Sequence, residues 1–372
     1  MDRRDFLKST AAIFPGGAVA SLAAPPALAQ QPTPWANGTH WRSFEIVTRV
    51  DVLKPDGTTR VWIPVPLSTP TDYFTSLGNG WSGNADAMRL VRGPREGDAM
   101  FYAEWGKPVE APFVELTSRF AARDRTVAGA PAGTAPRPAA PSRDELQYYL
   151  KPTEFIPTDG IVRDTALKAT RGAKSDLDRS RAIYEWIVDN THRDPKVRGC
   201  GWGDIKTMLE TGNLGGKCGD LNALFVGLSR AVGIPARDVY GLRVVPSQWG
   251  YRSMSAAGNV TGAQHCRAEF YLPERGWVPV DPADVRKVVL EEPPGNLAVA
   301  DPKVKLARAS LFGAWEMNWC AFNYSHDVKL PGSESAPLPY LMYPTAETRT
   351  GRKDSLDPAN FRYAINAREI TV

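Results

Sequence analysis

Gly215-Gly216-Lys217-Cys218-Gly219-Asp220-Leu221-Asn222-Ala223-Leu224-Phe225-Val226-Gly227-Leu228-Ser229-Arg230-Ala231-Val232-Gly233-Ile234-Pro235 is the stretch on which the fold turns. Leu221, Leu224, Phe225, Leu228 and Val232 recur at the spacing of one helical face, and Gly233 followed by Pro235 supplies a stop. The spacing predicts a helix from about Gly219 to Val232, with Cys218 at its N-terminus. A helix N-terminus carries partial positive charge and unpaired N–H groups, so it favours thiolate over thiol. Read alone, a cysteine is more often a small packed hydrophobe. The two preceding glycines, which allow close backbone approach, and Asp220 in the first turn shift the reading toward a nucleophile whose own N–H faces a developing oxyanion.

Working outward, Asp238–Val245, Gln264–Leu272 and Trp277–Val280 read as strands, with a Pro273-Glu274-Arg275-Gly276 turn between the last two. A helix followed by antiparallel strands makes an α+β arrangement, not a series of βαβ units. Alternation places His265, Arg267, Glu269 and Tyr271 on one face, toward a polar cleft, and Cys266, Ala268, Phe270 and Leu272 on the other, toward the core. A turn centred near Pro273 sets Asp281 opposite His265, where a carboxylate holds an imidazole tautomer and stabilises its charged form. The alternative for Asp281 is a plain Asp-Pro turn, with Asp284 as a spare acid.

Upstream, Ser175 and Asp178 make a capping-box start for a helix carrying Ala182, Ile183, Trp186 and Ile187 through Asn190. Residues 127–142, rich in Pro, Ala and Gly, read as a linker. Before it, Phe44–Val50 and Thr59–Pro66 read as a hairpin about Lys54-Pro55-Asp56-Gly57. In Phe113–Phe120, Val114, Leu116, Ser118 and Phe120 share one face, so the region is a small β-sandwich-like domain. The aromatic stretch Leu311–Tyr324 reads as core packing or as a cleft wall, with His326 and Asp327 following it.

These motifs, taken in order, resemble the transglutaminase-like superfamily of bacteria: Gly216-Lys217-Cys218-Gly219-Asp220-Leu221, Ala231–Arg237, His265 with Glu269-Phe270-Tyr271, and Gly276-Trp277-Val278-Pro279-Val280-Asp281-Pro282. The resemblance covers about residues 150–290, and Trp62-Ile63-Pro64-Val65-Pro66 is similar to what often precedes such a domain. It implies a papain-related core with Cys218 as nucleophile, His265 as base then acid, Asp281 as orienter, and acyl transfer through a thioester. Two departures stand out. Cys266-Arg267 replaces the Ala-Trp common after the histidine, giving a more basic cleft, and Asn190–Asp194 lacks the aromatic residue that often completes the oxyanion site. Trp202, Asn213 and His192 are left as candidates for the second oxyanion donor.

The division expected is a signal segment at 1–29, a β-rich domain at 30–126, the linker, a catalytic domain at 143–290 and an extension at 291–372 packing on it. Arg3-Arg4-Asp5-Phe6-Leu7-Lys8, a mild apolar stretch and Ala27-Leu28-Ala29 read as a twin-arginine export signal cut near Gln30. Pro15, Gly16 and Gly17 interrupt that stretch, which falls short of the ~20 apolar residues of a membrane span. The expected location is periplasmic or secreted, with the export machinery and a protein or peptide substrate, such as a cell-envelope amide, as partners. The chain has 372 residues and a formal net charge of +4, too mild to argue for nucleic acid. Four scattered cysteines and four scattered histidines give no C-x-x-C pair, no zinc pattern and no H-E-x-x-H, and there is no phosphate loop. No metal or cofactor is expected. The readings weighed are a thiol hydrolase, favoured because water is always present, a crosslinking transglutaminase, and a non-catalytic binding module on the same fold.

Overall fold

The computed structural model describes residues 40–93, 98–127 and 140–371. The export signal and most of the linker lie outside the described residues. In chain order come strands β1 (Arg42–Asp51), β2 (Thr59–Pro64), β3 (Phe74–Gly83), β4 (Ala87–Arg92), β5 (Ala99–Trp105), β6 (Phe113–Ala122) and the short β7 (Arg125–Thr126). Helices α1 (Arg143–Tyr148), α2 (Gly160–Ala169) and α3 (Asp176–Asn190) follow, then β8 (His192–Arg193), α4 (Ile205–Thr211), β9 (Gly215–Gly216) and α5 (Cys218–Ala231). Strands β10 (Ala236–Arg243), β11 (Gly258–Asn259), β12 (Arg267–Leu272) and β13 (Gly276–Val280) lead to α6 (Pro282–Glu291) and α7 (Pro302–Ser310). The chain closes with β14 (Ala314–Trp315), β15 (Trp319–Asn323), β16 (Thr345–Thr348), β17 (Gly351–Arg352) and β18 (Arg362–Ile370).

Helix α5 is the axis of the fold. Its residues Cys218 to Arg230 are all buried, and it packs on β10 and β12 at one side and on α2, α3 and α6 at others. A helix buried on every side needs such a jacket. Burying Leu221, Leu224, Phe225 and Leu228 stabilises the fold by roughly 1.5–3 kcal/mol each. The helix ends in a Schellman motif: Ile234 N–H donates to Ser229 O and Gly233 N–H to Arg230 O, both at 3.0 Å, with Gly233 at φ +84°. Against α5 lies a four-stranded antiparallel sheet ordered β13-β12-β10-β15.

Two five-stranded sheets, β11-β18-β1-β6-β3 and β17-β16-β2-β5-β4, form a sandwich around Val50, Val61, Ile63, Phe101, Trp105, Val114, Leu116, Ala346 and Phe361. The expected hairpin of β1 and β2 does not form. Strand β1 pairs with β6 and β18, whereas β2 pairs with β5 and β16, so the Lys54–Gly57 connection crosses from one sheet to the other. The C-terminal stretch also divides differently from the expectation. Helix α7 packs on α6 and β15 pairs with β10, but β16 and β18 enter the sandwich. A buried carboxylate rivets the two parts: Glu269 of β12 binds Arg237 at 2.7 Å and also Arg125, which lies over Tyr73 and Trp315. No described helix is long and apolar enough to cross a membrane.

Candidate active site

Cys218 is the first residue of α5 and is 3% exposed. Its position is fixed by Asp220, whose carboxylate accepts the Lys217 N–H at 2.9 Å and the Gly203 N–H at 3.0 Å. The loop before α4 is thereby tied to the helix start, and Gly219 N–H adds a 2.7 Å bond to Cys200 O. A side chain at Gly219 would meet that carbonyl at 2.6 Å, so the approach requires glycine.

His265 precedes β12, and its N–H donates to Gly241 O at 2.9 Å while its carbonyl accepts Trp319 Nε1–H at 2.9 Å. Gly241 is bare for a reason: a Cβ there would stand 2.1 Å from Cys320 O and 2.4 Å from the Trp319 ring. The imidazole Nε2 lies 2.7 Å from Asp281 Oδ2, which leaves the Nδ1 side for the Cys218 sulfur. Asp281 caps α6, accepting Asp284 N–H at 3.0 Å, and Asn222 of α5 reaches it at 3.3 Å. The three residues singled out from the sequence therefore meet in one buried place.

The hairpin register differs from the one expected. Leu272 pairs with Gly276 and Ala268 with Val280, so the turn centres on Glu274, one residue beyond Pro273. His265 and Asp281 are consequently diagonal neighbours, and Arg267 takes the place nearer Asp281, its Nε 3.7 Å from the carboxylate. The polar face of β12 is buried, not a solvated cleft. Arg267 donates to Glu316 O at 2.9 Å and lies over Trp315 and Trp319. Cys266, which precedes β12, is fully buried in the core as expected, and its thiol also lies beside Cys218.

Charge is arranged to make a thiolate. The neighbouring Cys200 and Cys266 thiols, with the His265 ring, hold the Cys218 pKa well below the ordinary thiol value against the opposing effect of burial. For His265, burial is the largest influence and disfavours charge, but Asp284 and Asp281 outweigh it and the pKa is raised. Burial and the neighbouring Asp284 raise Asp281. Asp284, though buried, is held low by Arg243 and His265. His265, Asp281 and Asp284 are close enough to share a cation, and Arg243 and Arg267 already bring positive charge to that cluster.

Several neighbours carried no sequence signal. Cys200 donates its Sγ–H to Gln264 O at 3.3 Å, Tyr343 hydrogen-bonds Cys200, and the Tyr340 hydroxyl donates to Gly201 O. Tyr340 and Tyr343 thus stand beside the cysteine cluster. Of the three oxyanion candidates, Trp202 is 66% exposed on the loop tied to Asp220, while His192 and Asn213 flank Gly215. His326 and Asp327 point elsewhere, to Asp238 and Tyr240, and to Glu154 N–H, respectively. Trp315 and Trp319 are core and bond the carbonyls of Val280 and His265.

Residues 163–282 match the model of the transglutaminase-like superfamily, which defines the class of this domain. An uncharacterized protein of Haemophilus influenzae (strain ATCC 51907 / DSM 11121 / KW20 / Rd) is 36% identical over 369 residues, 95% of this chain and 99% of its own. The chain belongs to the same family as that protein. Among solved structures, a candidate cysteine protease from Cytophaga hutchinsonii is 15% identical with a TM-score of 0.47, over 89% of this chain and 99% of that one. The periplasmic domain of TgpA from Pseudomonas aeruginosa is 16% identical with a TM-score of 0.32, over 64% and 90%.

Proposed function

We propose that this protein is an exported thiol enzyme that cleaves amide bonds of peptides through a thioester on Cys218. The observation that carries the reading is the buried chain of contacts from Cys218 at the start of α5, through His265, to Asp281 at 2.7 Å. A lowered thiol pKa beside a raised imidazole pKa favours a thiolate–imidazolium pair at neutral pH. The thiolate attacks the amide carbon, and the Cys218 N–H, which as a helix N1 group has no intrahelical partner, faces the oxyanion. His265 passes its proton to the leaving nitrogen as the C–N bond breaks, and Asp281 keeps the ring oriented. Water then adds to the thioester, giving its proton to His265, and the C–S bond breaks to release the acid and regenerate the thiolate. Export rests on the twin-arginine pattern of residues 3–8.

The test is intact-protein mass spectrometry after mixing with a peptide-amide library in ¹⁸O-labelled water. A transient acyl adduct on Cys218, absent in Cys218→Ala, with ¹⁸O in the released acid, supports hydrolysis. Release only when an amine is supplied would replace hydrolysis by transamidation, and no adduct with any amide would contradict the enzyme reading.

A further inference from the structure

We propose that Asp284 is a second positioning carboxylate for His265, held in place by Arg243, so that the ring is gripped by two acids that share the first turn of α6. The inference rests on the proposed catalytic reading of Cys218, His265 and Asp281 and deepens it. Asp281 is the N-cap of α6 and Asp284 stands three residues on, so both carboxylates face the positive end of one helix. Asp281 Oδ1 accepts the Asp284 N–H at 3.0 Å, which turns its Oδ2 toward His265 Nε2 at 2.7 Å. Asp284 Oδ2 lies 3.4 Å from the same nitrogen.

Two buried carboxylates this close repel each other unless cations stand beside them. Arg243, at the end of β10, supplies the main one. Its guanidinium bonds Asp284 Oδ2 and also Met254 O at 2.9 Å, and it is almost wholly buried. Arg267 from β12 serves Asp281, and Lys287 one turn along α6 faces Asp284. A purely structural Arg–Asp pair is served best by both carboxylate oxygens in bidentate geometry. Here Asp284 Oδ1 makes no hydrogen bond among the described residues, and Oδ2 carries both the Arg243 and the His265 contacts. The carboxylate is aimed at the ring as well as at the arginine. Its consequence is a division of labour, with Asp281 fixing the ring's orientation and Asp284 adding the charge that keeps it protonated beside the Cys218 thiolate.

The experiment follows the His265 ring by ¹³C–¹H NMR titration and Cys218 by the pH dependence of iodoacetamide alkylation, in the wild type, Asp284→Asn and Asp284→Glu. The expected result is a downward shift of the His265 titration in Asp284→Asn, an upward shift of the acid limb of alkylation, and a roughly tenfold or greater loss of rate near neutral pH, partly recovered in Asp284→Glu. A folded Asp284→Asn with both profiles at their wild-type positions would overturn the proposal and leave Asp284 as the ion-pair partner of Arg243 alone. Should Asp284→Asn fail to fold, the double variant Asp284→Asn with Arg243→Gln is compared with Arg243→Gln alone, so that the loss of Arg243, which itself lowers the His265 pKa, cancels and the shift due to Asp284 is read as before. The wild-type and His265→Ala comparison involves no change at Asp284. Loss of any His265 effect there would remove the catalytic reading and this proposal together, whereas a normal His265 effect with a silent Asp284 would remove this proposal alone.

Discussion

Cys218 gains its charge from neighbours that come from distant parts of the chain: Cys200 from the loop before α4, Cys266 and His265 from the approach to β12, and its own helix end. The sign of the pH dependence follows. On the proposed reading, the ion pair forms as pH rises through the lowered Cys218 pKa and is lost as pH rises through the raised His265 pKa, so a bell-shaped pH-activity profile is expected. Cys200→Ala removes the neighbour that most lowers the Cys218 pKa, and the ultraviolet thiolate absorbance of Cys218 is expected to appear at higher pH than in the wild type. An unchanged titration would mean that Cys200 only fills space. Cys218 was legible from sequence because a helix start is a local pattern. Cys200, Arg243 and Tyr343 were not, because their roles exist only once strands and loops remote in sequence have come together.

Among the elements, the pairing of β10 with β15 positions the histidine through Gly241. Gly241→Ala would drive a methyl into Cys320 O and the Trp319 indole, with an expected loss of about 1–3 kcal/mol by urea denaturation and slower Cys218 labelling, since Gly241 O holds His265 N–H. Wild-type stability in this variant would show that β15 yields freely. Ser175→Ala, by contrast, touches only the capping box of α3 and should cost about 1 kcal/mol without altering the reactivity of Cys218. The α5 and α3 boundaries were readable within a residue or two from their caps and periodicity. The hairpin register was not, because the turn residues permit more than one centre and a slip of one position decides which residue faces Asp281.

For the molecule as a whole, a buried carboxylate ties together arginines of remote parts of the chain. Glu269→Ala would strand Arg125 and Arg237 in the interior without their carboxylate, an expected loss of roughly 3–5 kcal/mol seen as a lower melting temperature. The entry of β18 into the sandwich escaped the sequence because its pairing joins residues such as Glu45 and Arg368, which are 323 positions apart, and its alternation alone names no partner. The most direct measurement is the pH-rate profile of Cys218 alkylation, with the labelled cysteine located by peptide mass spectrometry. The account predicts selective labelling of Cys218 with an apparent pKa well below the ordinary thiol value and loss of that selectivity in His265→Ala. Labelling of Cys218 no faster than Cys200 or Cys320, indifferent to His265, would contradict it.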